Sequence, residues 1–165
     1  MRTIPQITTD KSPREIILED FEIDLPIQGG WGYKLDNACI IDKFDHTVLI
    51  DIPFDGLSIE RSFVEKRIYE EMIIRLDIHE QYGGIKWYLD QQQLMFNDGK
   101  SYDKLIFNVE AFEIDIWGEL LSRFEDIQKS GKLELMDALN QYRESKKLLF
   151  ISEFYFDITS FFGQK

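Results

Sequence analysis

Two stretches of the chain, Ile85 to Phe96 and Tyr102 to Phe112, are rich in aromatic and branched residues and flank Asn97-Asp98-Gly99-Lys100. An Asp-Gly pair between two such runs suits the left-handed backbone of a tight hairpin, so this region reads as two antiparallel strands. Helical spacing follows. Ile116, Leu120, Phe124 and Ile127 share one face of a helix running from Asp115, as its cap, to about Lys129, and Ser130-Gly131 ends it. Leu133 to Ser145 is a second amphipathic helix with Leu135, Leu139 and Tyr142 inward, and Leu148 to Phe162 reads as a closing strand.

The first half is less regular. Residues 1 to 12 are polar and expected to be loosely ordered. Phe21-Glu22-Ile23-Asp24-Leu25 alternates strictly, predicting a half-buried strand that Pro26 ends. Gln28 to Tyr33 is a glycine-rich turn. Ala38-Cys39-Ile40-Ile41 predicts a short buried strand, and Thr47 to Ile52 another, closed by Pro53 and Asp55-Gly56. From Ser58, read as a helix cap, Ile59, Phe63, Val64, Ile68, Met72 and Ile73 fall near helical spacing; the rival is a long strand, because Phe63, Glu65, Arg67 and Tyr69 also alternate. The order of elements predicts a single α+β domain over residues 1–165, mainly antiparallel sheet with about three helices packed on it.

Charge is the unusual global property. Thirty-one acidic and 19 basic side chains give a net charge of −12. Such a field repels nucleic-acid phosphates and anionic lipid and draws in basic partners. The surplus is regional: residues 25–60 hold six acids against two bases and residues 81–128 nine against four, whereas residues 129–165 hold five against six. Solubility alone accounts for a negative surface; a docking face for a cationic protein is the sharper reading. No window approaches a membrane span and the first residues have no signal-peptide pattern, which points to the cytoplasm.

Candidate chemistry is sparse. Cys39 is the single cysteine, so neither an intramolecular disulfide nor a Cys-rich zinc site is expected. His46 and His79 lie outside any nucleophile motif. Gly29-Gly30-Trp31-Gly32 lacks the Lys and Ser/Thr spacing of a phosphate loop, and no cofactor or metal is expected. Trp31 either packs on the core or stands exposed, with Tyr33, as an apolar anchor for a partner. Asp42, Asp45, Asp51 and Asp55, or Glu110, Glu113 and Asp115, would then supply the carboxylates. An acid–base pair among Glu110, Glu113 and Asp115, in a hydrolase-type enzyme using carboxylates or a bound metal, is the competing reading; a general interaction module is another.

The segments Gly29-Gly30-Trp31-Gly32-Tyr33, Ala38-Cys39-Ile40-Ile41, Pro53-Phe54-Asp55-Gly56 and Phe63-Val64-Glu65-Lys66-Arg67-Ile68-Tyr69 resemble a group of small bacterial proteins associated with the immunity proteins of polymorphic toxin and contact-dependent inhibition systems. That resemblance implies a cytoplasmic inhibitor that binds a cognate toxin domain. It implies no catalytic residues.

Overall fold

The computed structural model describes residues 3–49 and 53–163. Helix α1 (Pro13–Phe21) opens the regular structure, followed by strands β1 (Ile27–Gly29) and β2 (Cys39–Ile41), helix α2 (Gly56–Tyr69), strands β3 (Tyr82–Asn97) and β4 (Lys100–Glu113), helices α3 (Ile114–Ser130) and α4 (Met136–Lys146), and strand β5 (Leu148–Asp157). The fold is α+β. One sheet of five strands has the order β1-β2-β5-β4-β3. It is mixed: β1–β2, β5–β4 and β4–β3 are antiparallel, and β2–β5 is parallel.

The hairpin forms where the turn chemistry places it, with Asp98 (φ 50°) and Gly99 (φ 77°) both left-handed. β4 is the spine of the sheet, pairing along its length with β3 and from Tyr102 to Ala111 with β5. α1 and α2 cover one face. Ile16, Ile17, Phe63, Val64, Ile68 and Met72 join Val109, Phe150, Phe154 and Phe156 in one buried cluster. α3 and α4 make a smaller cluster from Phe112, Leu120, Ile127 and Leu139. Phe112 stacks on Trp117 at 5.6 Å, and Gly83 and Gly84 leave room for that indole, which a Cβ at either position would meet within 2.6 Å.

Five expectations are corrected. Residues 21–25 are not a strand. Ser12 caps a helix there, accepting from the Glu15 amide, and Pro13 occupies its first turn; the helix ends in left-handed Glu22 (φ 57°). The burial does not follow the alternation: Asp24 and Leu25 both turn inward, Asp24 toward Arg14. Pro26 precedes a strand instead of ending one, its carbonyl accepting from the Asp42 amide. Residues 47–49 form no strand; Ile50 to Ile52, and Asp51 with them, lie outside the described residues. Asp55, not Ser58, caps α2, accepting from the Ser58 amide, and Glu113, not Asp115, occupies the cap position of α3.

The helix reading of residues 58–76 holds as far as Tyr69, after which Glu70–Ile74 widens into a π-helical turn. Residues 3–12 have no regular element, yet Ile7 is buried in the main cluster and its amide donates to the Tyr33 hydroxyl at 2.9 Å.

Candidate functional site

A cleft of about 820 Å³ opens at the start of α2. Its polar lining includes Asp24, Asp45, Asp55, Lys43 and His46, and Leu25, Phe54 and Ile59 contribute apolar surface. Each carboxylate is positioned by a local or tertiary bond. Asp55 is held as the α2 cap. Arg14 of α1 reaches across to both other acids, with Nε donating to Asp24 at 2.7 Å, Nη2 to the second Asp24 oxygen at 3.1 Å, and Nη1 to Asp45 at 2.7 Å. Asp24 also accepts from the Leu49 amide, and Asp45 accepts from the Thr47 amide and hydroxyl. The Arg14 bond holds the Asp24 carboxyl below its ordinary range, and the Thr47 bonds do the same for Asp45. Both are therefore anionic across the neutral range.

Between α2 and the covered face of the sheet lies a second, largely interior polar centre. Arg67 is 1% exposed. Its Nη1 donates to the Trp31 carbonyl at 3.1 Å and its Nη2 to the Glu153 carbonyl at 2.8 Å, and Nε stands 3.5 Å from Glu71. The guanidinium lies between the rings of Phe154, at 3.5 Å, and Tyr33, at 4.2 Å. Tyr33 donates to Glu71 at 2.5 Å, and burial with that carboxylate raises its hydroxyl far above the ordinary value. On the same helix, burial and then the neighbouring Asp103 push Glu60 up to about 9; in the π turn, burial and then Asp20 push Glu70 up to about 8. None of these glutamates lines the cleft. Glu71, by accepting from Tyr33, ties the end of the α2 segment to the Gly29–Tyr33 loop.

The sequence-predicted residues separate in space. Trp31 is a core residue, 7% exposed and 5.9 Å from the Phe63 ring, so it is no surface anchor; left-handed Gly32 packs so tightly that a Cβ would lie 2.9 Å from the Tyr155 carbonyl, turning the indole inward. Tyr33 is committed to Glu71 and Arg67. Asp42 closes a turn by accepting from the Phe44 amide. Asp45 and Asp55 reach the cleft.

Glu110, Glu113 and Asp115 do not share that surface. Glu110 pairs with Leu149 near the start of β5, whereas Ile40, just before Asp42, pairs with Asp157 at its end. Eight residues at about 3.3 Å each put the two groups roughly 26 Å apart. Sequence reasoning passed over Asp24 and Arg14, whose only signal was a polar residue inside an apolar run. It passed over Arg67, Glu60 and Glu71 because they sit on a helix whose periodicity is carried by its apolar neighbours. Among the described residues, no three His, Cys, Asp or Glu side chains stand close enough to hold a metal ion, and no helix is long and apolar enough to cross a membrane.

Comparison with protein-family models, with curated proteins and with solved structures found no match to this chain.

Proposed function

We propose that this protein is an inhibitor of the immunity type, acting in the cytoplasm by binding a cognate toxin domain through the cleft at the start of α2. The observation that supports this most directly is the convergence of Asp24, Asp45 and Asp55 on one cleft whose remaining lining includes Leu25, Phe54 and Ile59. Asp24 and Asp45 are already paired with Arg14, their side chains 3% and 6% exposed. Exposed Asp55, beside Phe54 and Ile59, is therefore the carboxylate that meets a lysine or arginine side chain, whose aliphatic stem packs while its head pairs. Arg14 and Lys43 offset part of that local charge, so the long-range pull comes from the net charge of −12. Binding through the cleft is thus a matter of local pairing, and approach is a matter of the whole field.

The test is binding kinetics against the product of the neighbouring gene, at low and high salt. Ser62 lines the cleft and is half-buried, so Ser62→Lys places a like charge where the partner's cation is to enter. The expected result is an association rate that falls with salt, and at least tenfold weaker binding for the variant, about 1.4 kcal/mol. Salt-independent association with unimpaired binding by the variant overturns the proposal.

A further inference from the structure

We propose that the open edge of β3 is where two copies of this chain join, strand antiparallel to strand, about a two-fold axis at Gln92. The proposal is independent of the cleft.

β3 ends the sheet: β4 pairs with one side of it, and among the described residues no strand pairs with the other. It is 16 residues long, where edge strands are usually short. From Gln91 to Asn97 it carries neither charge nor proline, and Leu94 and Phe96 stand 46% and 67% exposed. Tyr88 and Leu89, on the other side of the glutamines, are 53% and 50% exposed. Such an edge is a template for another strand.

The occupant follows from symmetry. An antiparallel pairing of identical strands sets each position against its mirror image, so apolar residues must recur at equal distances from the centre and on matching faces. The register with β4 shows that they do. Gln92 stands opposite Leu105, and the bulge between Leu89 and Gln91 leaves Asp90 over. Leu89 and Leu94 then lie opposite Phe107 and Asp103, Tyr88 and Met95 opposite Asn108 and Tyr102, and Trp87 and Phe96 opposite Val109 and Ser101. Each of these pairs is equidistant from Leu105 and on a common face. A second copy would therefore lay Leu94 against Leu89, Met95 against Tyr88 and Phe96 against Trp87, twice over, with Gln93 against Gln91 at the centre. The bulge, which usually protects an edge, here restores the mirror relation. No like charges are set opposite each other: Lys86 faces Asn97 of the second copy.

Net charge opposes the union, since each copy carries −12. Salt screens that repulsion, so dimerisation strengthens with ionic strength, the reverse of what cleft binding predicts. The experiment is analytical ultracentrifugation of the full chain at about 0.05 and about 0.5 M NaCl. A dimer fraction that rises with salt is expected. The double variant Gln91→Lys/Gln93→Lys brings four cations to the axis and is expected to stay monomeric at both concentrations, although it lowers the net negative charge. Leu149→Lys, on the exposed sheet face, is expected to dimerise as the parent does. A monomeric parent at both salts, a dimeric double variant, or a monomeric Leu149→Lys overturns the proposal. Should the double variant fail to fold, hydrogen exchange of the parent decides: slower exchange of Tyr88–Phe96 amides at higher protein concentration supports the edge contact, and unchanged exchange overturns it.

Discussion

The guanidinium of Arg67 donates to the carbonyl of Glu153, 86 positions away in the chain, at 2.8 Å. One buried side chain thus ties α2 to β5 and, through the Trp31 carbonyl, to the glycine loop. Its burial costs solvation, which lowers its own proton affinity, and Glu71 offsets that cost.

Arg67→Ala strands Glu71 and two carbonyls in the interior. The expected loss is about 3–5 kcal/mol in urea unfolding, and the double variant Arg67→Met/Glu71→Gln is expected to lose less than the two single changes added together. Additive losses would show that the two side chains act separately.

Stability should fall as pH rises from about 4.5 toward 8–9. Glu60 and Glu70 hold their protons in the folded state up to about 9 and about 8, whereas in the unfolded chain they release them near 4.5. Between those limits the unfolded state binds fewer protons, so rising pH favours it. Asp24 and Asp45 act in the opposite sense at the acid end: their depressed proton affinities stabilise the fold above the ordinary aspartate range, and that contribution is lost on acidification. The stability maximum is therefore expected at about pH 4, between the ordinary aspartate and glutamate ranges. Glu60→Gln, which keeps the shape without the charge, should flatten the alkaline slope; chemical unfolding midpoints across the pH range read this directly.

Gly84 has φ +59°, and a Cβ there would meet Trp117 at 2.6 Å and Phe112 at 3.0 Å. Gly84→Ala combines backbone strain with overpacking, and a loss of about 1–3 kcal/mol is expected. Tryptophan fluorescence should shift as Trp117 is displaced from Phe112, and a variant with the parent's stability and emission would refute this account of the α3–β3 contact.

Local chemistry was legible in the chain. Asn97-Asp98-Gly99-Lys100 specified the hairpin because left-handed backbone at Asp98 and Gly99 is a property of those residues themselves. The bodies of α2 and α3 followed from apolar spacing, and the left-handed cap at Gly131 from its lack of a side chain. Phe21 to Leu25 misled for the same reason that local reading works elsewhere. Its alternation imitates a strand, and only the Arg14 bond to Asp24 explains why a polar and an apolar neighbour both turn inward.

What the chain order by itself determined, then, is the α+β class, the hairpin, the long helices and a surplus of negative charge. The tertiary structure alone decided where that charge goes. Asp45 reaches the cleft because Arg14, 31 positions earlier, holds it there, while the strand order sends Glu110 to the far end of the sheet. It also decided that Trp31 is core and that Arg67 is interior. The physical reason is range: turn and helix preferences act within a few residues, whereas burial, ion pairing and sheet order depend on partners that only the folded chain brings into contact.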